Sequence, residues 1–122
     1  MKIKLTESEL ELMEIIWSRG TAFMKDILEA YPEPKPASTT IATLLKRMHS
    51  KGAINYKLYG NSREYSPMIS KETYFGEEMN SMIDRFFNSS VSQFASFFTG
   101  SQQLSQDQLK ELRDIIDHQI KR

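Results

Sequence analysis

The sequence predicts a mainly α-helical chain carrying one small β-hairpin, and three observations predict it. Apolar residues recur at helical spacing over most of the 122 residues. One stretch, residues 53–66, changes instead to a partial two-residue alternation rich in tyrosine and is broken by Gly60-Asn61-Ser62. Gly20, Gly52 and the trio Pro32, Pro34 and Pro36 punctuate the helical segments where each should stop.

The first helix is announced by Leu5-Thr6-Glu7-Ser8-Glu9-Leu10. Thr6 can cap, Glu9 can reach back to the Thr6 amide, and Leu5 can pack on Leu10 as a staple. Leu10, Leu12, Met13, Ile16 and Trp17 then form a helical stripe that ends at Gly20, which makes this a core helix and Trp17 a core anchor. A shorter helix is expected over residues 22–31, with Met24, Ile27 and Leu28 inward. The prolines at 32, 34 and 36 forbid its continuation, since each lacks an amide donor and restricts the residue before it. Ser38, Thr39 and Thr40 offer N-cap hydroxyls for a third helix that presents Ile41, Leu44, Leu45 and Met48 on one face and stops at Gly52. Residues 53–59 and 63–66 then read as two strands joined by the Gly-Asn-Ser turn.

Charge is distributed unevenly along a chain whose formal net charge is zero. Residues 35–65 hold six basic side chains (Lys35, Lys46, Arg47, Lys51, Lys57, Arg63) against the single acid Glu64, a local balance of +5. The face of the third helix opposite its apolar stripe carries Thr39, Thr43, Lys46 and Ser50, flanked by Ala42 and Arg47. Small hydroxylated side chains let a helix approach base edges in the DNA major groove, while lysine and arginine reach guanine or phosphate. A merely solvated helix would more often place glutamate beside its lysines. Lys57 and Arg63 fall near the hairpin tip, where flanking phosphates would lie; the hairpin tyrosines 56, 59 and 65 read either as packing residues or as contacts. Three helices followed by such a hairpin are the order of a winged helix-turn-helix.

The remaining third carries two apolar bands before its last helix. Tyr74, Met79, Met82, Ile83, Phe86 and Phe87 lie on a helix over residues 71–87; Val91, Phe94, Ala95, Phe97 and Phe98 lie on a second, shorter one. A last helix begins at Leu104-Ser105, where Ser105 and Gln108 repeat the capping box and Leu104 can staple Leu109. Its stripe of Leu109, Leu112, Ile115, Ile116 and Ile120 is too long and too apolar for so short a region to bury alone, so a second subunit is its expected cover. The expected division is a winged-helix DNA-binding domain over residues 1–69 and a helical dimerisation region over 70–122. A two-fold dimer would set two recognition helices about one turn of DNA apart.

Other functions are excluded by what the sequence lacks. It has no cysteine, which removes disulfides, thiolate metal sites and cysteine nucleophiles. His49 and His118 alone do not make a metal site, no catalytic motif is present, and neither an enzyme nor a cofactor is expected. Apolar runs fall far short of the roughly 20 residues that span a bilayer, and the start MKIKLTESEL lacks the apolar core of a signal peptide. A cytoplasmic protein without membrane insertion is expected.

These features together resemble the penicillinase-repressor family of BlaI and MecI type regulators. The resemblance rests on Leu5-Thr6-Glu7-Ser8-Glu9 with Met13 and Ile16-Trp17, on Ser38-Thr39-Thr40-Ile41 with Leu44-Leu45-Lys46-Arg47-Met48 and Lys51-Gly52, on Tyr65-Ser66-Pro67, and on Leu104-Ser105 with Glu111-Leu112. It spans nearly the whole chain. It implies an N-terminal winged helix, a helical C-terminal dimerisation region, and a homodimer that represses transcription from a palindromic DNA operator. The operon would be of the β-lactam-resistance type or serve another stress response. Carried over by position, Thr40, Ala42, Thr43 and Lys46 would face the groove and Arg63 and Tyr65 the flank. Ala42 stands where some members have a basic residue, so their operator sequence does not carry over to this chain. The candidate DNA-binding set is Ser38, Thr39, Thr40, Ala42, Thr43, Lys46, Arg47, Lys57, Arg63 and Tyr65. The candidate dimer set is Met79, Met82, Ile83, Phe86, Phe94, Phe98, Leu109, Leu112 and Ile116. Family members are released by a membrane sensor peptidase that leads to cleavage at an Asn-Phe bond. Phe97-Phe98 stands at that place here, which leaves the sensor peptidase, another protease, a partner protein or an unknown signal open. Copper-responsive relatives use C-terminal cysteines that this chain lacks. The rival reading is a winged-helix module used only for protein contacts, against which stands the acid-free basic face.

Overall fold

The computed structural model describes residues 2–101 and 104–121. By contact the chain divides into residues 1–77 and residues 78–122. The expected junction lay at 69/70; the structural division falls eight residues later, within a helix.

In the first unit, α1 (Glu7–Arg19) opens on the expected capping box: the Thr6 amide donates to Glu9 Oε1 at 2.8 Å and the Glu9 amide to Thr6 Oγ1 at 3.2 Å. Gly20 closes the helix at φ +84°, a conformation only glycine adopts without strain. Residues 22 and 23, expected to start the second helix, instead form a short strand, β1 (Ala22–Phe23), and α2 begins at Met24 (Met24–Ala30). Asp26 accepts a bond from the Phe23 amide at 3.0 Å and so sets the helix start one residue after the strand.

Helix α3 (Ser38–Ser50) starts after Ala37, which has no side-chain capping bond. The hydroxyls of Ser38, Thr39 and Thr40 are therefore not caps; all three residues are exposed in its first turn. Its stripe packs as expected, with Ile41, Leu44, Leu45 and Met48 all buried. Each such aliphatic burial contributes roughly 2 kcal/mol, which fixes the rotation of α3 and hence the face it turns outward.

Strands β2 (Ile54–Tyr59) and β3 (Ser62–Pro67) pair antiparallel with Tyr56 opposite Tyr65 and Leu58 opposite Arg63. Their turn is Gly60-Asn61, with Gly60 at φ +62°, the positive φ that the first position of a type II′ hairpin turn requires. The hairpin does not stand alone. β1 pairs with β3 through Ala22 opposite Tyr65, giving a three-stranded sheet in the order β1-β3-β2.

Helix α4 (Lys71–Phe86) enters the first unit's core through its opening turns. Tyr74 is 2% exposed and its hydroxyl accepts from the Leu5 amide at 3.1 Å. Trp17 packs tilted against both Tyr74 and Phe75, with ring centroids 6.0 and 5.9 Å away, and its indole donates to the Ile69 carbonyl at 2.9 Å.

The second unit contains the rest of α4, α5 (Val91–Ser101) and α6 (Gln106–Ile120). Asn88 and Ser89 turn the chain after α4 at φ +54° and +59°. Phe87, Phe94, Phe97 and Phe98 form an aromatic cluster with centroid separations of 5.3–6.0 Å. α6 begins on the expected box, the Ser105 amide donating to Gln108 Oε1 and the Gln108 amide to Ser105 Oγ.

Candidate nucleic-acid interface

The buried stripe of α3 leaves Thr39, Ala42, Thr43, Lys46, Arg47 and Ser50 exposed on the other side. Thr43 donates its hydroxyl to the Thr39 carbonyl at 3.0 Å, which holds this exposed side chain close to the helix as a short contact surface. The Lys46 ammonium has no partner among the described residues. The outward face is thus low in relief, hydroxylated and cationic, as the sequence predicts.

Not every cation of the basic segment serves that face. The Lys35 ammonium donates to the carbonyls of Leu28, Glu29 and Tyr31 at 2.7–3.2 Å, and so closes the C-terminus of α2. Lys51 bonds the Glu9 carboxylate and the Lys4 carbonyl. Glu9 is 1% exposed. Burial alone would raise its carboxyl, but the Lys51 ammonium and the Thr6 hydrogen bonds outweigh burial and hold it below the usual carboxylate value. This pair ties the end of α3 to the start of α1. Of the six cations, four remain outward: Lys46, Arg47, Lys57 and Arg63.

The wing sorts its own candidates by face. Residues alternate sides along a strand, and directly opposed residues share a side. Tyr56, Leu58, Arg63 and Tyr65 therefore share one side of the hairpin, buried at Tyr65 and exposed toward the tip at Leu58 and Arg63, whereas Lys57 lies on the other side, opposite Glu64. Arg63 and the α3 cation Lys46 line one cleft; Lys57 does not join them. Tyr65 is 7% exposed and belongs to the core cluster, so its ring supports the wing and offers little surface to a ligand. In the sequence His49 bears only on metal binding and catalysis, and Tyr56 reads either as packing or as contact. Both line the same cleft, their rings 5.2 Å apart. The signal for His49 was its place three residues after Lys46, one turn along the helix.

In the second unit the dimer candidates Met79, Met82, Phe86, Phe98 and Ile116 are exposed, with Ile116 at 56%. Phe94, Leu109 and Leu112 are half-buried, and Ile83 is buried within the single chain. Among the described residues no helix is long and apolar enough to cross a membrane, and no group of three or more His, Cys, Asp or Glu could hold a metal ion.

Three helices, a three-stranded sheet ending in a wing, and an outward cationic helix face define a winged-helix DNA-binding protein. The model of the penicillinase repressor family matches residues 5–118, and the chain belongs to that family. It is accordingly a transcriptional repressor and not an enzyme. The penicillinase repressor of Bacillus licheniformis is 28% identical over 115 residues, covering 93% of this chain and 90% of the relative. The methicillin resistance regulatory protein MecI of Staphylococcus aureus strain N315 is 27% identical, covering 93% and 94%. Among solved structures, the DNA-binding domain of the repressor BlaI matches with a TM-score of 0.53 and 28% identity, over 61% of this chain and 94% of that one. The monomeric form of Bacillus licheniformis BlaI in complex with the blaP half-operator matches with a TM-score of 0.51 and 29% identity, over 60% and 92%.

Proposed function

We propose that this chain acts in the cytoplasm as a homodimer that binds a palindromic DNA operator and blocks transcription from it. α3 would lie in the major groove and the wing on the flanking backbone, with the apolar faces of the second unit joining two copies. The observation that carries this reading is the outward face of α3, where Thr39, Ala42, Thr43 and Lys46 are exposed together with no acid beside them. The half-operator complex of BlaI supports it, because that relative shares the fold of this unit and is bound there to DNA. The exposed Ile115, Ile116 and Ile120 on α6 support the dimer, since stable monomers rarely leave such a stripe in water.

The roles differ in kind and so can be separated. Lys46→Ala should weaken binding to all duplexes and reduce the salt slope by about one phosphate contact, whereas Thr43→Ala should change the preference among sequences. Titration of both variants against several duplexes at two salt concentrations tests this. Wild-type affinity and wild-type preference in both variants would remove α3 from the interface. Release from the operator stays open between a derepressing protease, the membrane sensor peptidase of the family or another, and a partner protein or different signal. Phe97-Phe98 occupies the place of the family's cleavage pair, and both residues are exposed on α5.

A further inference from the structure

The cleft between α3 and the wing, about 340 Å3, is lined by Lys46 and His49 from the helix and by Tyr56, Arg63 and Tyr65 from the sheet. The Arg63 guanidinium carbon lies 4.3 Å from the centroid of the Tyr56 ring. His49 packs against that same ring at 5.2 Å and Tyr65 at 5.8 Å, so the Tyr56 ring contacts both the recognition helix and the wing cation. No carboxylate lines the cleft among the described residues, and neither Lys46 nor Arg63 forms an ion pair or hydrogen bond with any of them.

We propose that this cleft seats one backbone phosphate of the operator between Lys46 and Arg63, and that Tyr56 is the positioning residue that aims Arg63 at it. The inference rests on the DNA reading above and adds to it a shared site and a residue that acts through another. The ring attracts the cation without a hydrogen bond to any described residue, so the guanidinium N–H groups stay available for the bidentate grip on phosphate oxygens that arginine geometry favours. A long exposed arginine otherwise loses rotamer freedom on binding, and holding it beforehand on an aromatic ring removes part of that cost. His49 braces the ring from α3, so the wing cation is placed relative to the helix that reads the groove. The tyrosine hydroxyl is not required for any of this, which separates the ring's role from that of a hydrogen-bonding contact.

The test compares full-length wild type, Tyr56→Phe, Tyr56→Leu, Arg63→Ala and the double variant Tyr56→Leu/Arg63→Ala. Each is measured for duplex DNA binding across a salt series and for its melting temperature. Tyr56→Phe is expected to keep wild-type affinity and slope. Tyr56→Leu is expected to lose affinity about as Arg63→Ala does, on the order of fivefold, with the magnitude of the salt slope lower by about 0.9, the value of one phosphate. The double variant should bind no worse than Arg63→Ala alone. A Tyr56→Leu protein that melts lower but keeps the wild-type slope overturns the proposal, as does a double variant whose losses multiply. A wild type that retains no DNA at low salt would overturn the seat together with the function it serves, a result distinct from a binding wild type whose variants break the pattern.

Discussion

Glu9 shows how one side chain joins local structure to the reading surface. Its carboxylate closes the α1 capping box and holds Lys51 at the end of α3, while lying almost wholly out of water. Lys51→Met leaves that carboxylate buried without its counter-charge, and should destabilise the fold by about 2 kcal/mol; the 35% exposure of the ammonium keeps the cost below that of a fully buried pair. Because the folded-state carboxyl is depressed, its contribution is complete above the unfolded carboxylate value and is lost as pH falls through the folded one. Melting curves taken from neutral pH to below about pH 4 should therefore show wild type losing stability faster than Glu9→Gln. Parallel curves would mean that the carboxylate contributes nothing through its charge. The box itself was legible in the sequence, since Thr6 and Glu9 are three residues apart; the Lys51 partnership was not, since 42 residues separate the two ends.

At the scale of elements, what periodicity can and cannot say is clearest in α4. Its apolar positions, Tyr74 among them, are legible, but spacing along a helix does not name the surface that covers each one. The structure puts Tyr74 in the winged-helix core and leaves Met79, Met82 and Phe86 exposed. A domain cut at residue 69 consequently lacks a core side chain. Tyr74→Ala should cost about 3–4 kcal/mol, the usual penalty for truncating a buried aromatic. A fragment of residues 1–77 should melt well above one of residues 1–69; equal melting temperatures would contradict the placement of Tyr74. β1 escaped notice for a different reason: two residues are too few to show a period, and they become a strand only because Tyr65 and Glu64 lie opposite them. The start of α3 was misread because three consecutive hydroxyl residues can each cap, and the backbone settled on Ala37 instead. By contrast, the stripe of α3 and the box of α6 depend on neighbours within one or two turns, and both appear where the sequence places them.

For the molecule as a whole, the proposed function requires that a DNA-reading unit exist in two linked copies. Ile115, Ile116 and Ile120 are 56–74% exposed on α6, and Met79 and Phe86 are exposed on α4. Ile116→Asp would place a charge in the proposed subunit contact, where desolvating it costs several kcal/mol. The variant should sediment as a monomer, keep the melting behaviour of the first unit, and bind a full operator no more tightly than a half-site. A dimer of undiminished stability would move the interface elsewhere. The candidate site was legible in outline, because the acid-free stretch and the outward face of α3 are written in consecutive residues. Its finer division was not: that Lys35 and Lys51 close helices, that Lys57 lies on the far side of the wing, and that Tyr56 joins Arg63 to α3 are facts of tertiary placement. The most direct test of the central claim is a selection of bound sequences from random duplex DNA with the full-length protein at two salt concentrations. Enrichment of a palindrome whose half-sites lie about one helical turn apart, with weaker retention at higher salt, is the expected result. Recovery of no preferred sequence, with retention insensitive to salt, would contradict it and favour a winged helix that contacts only proteins.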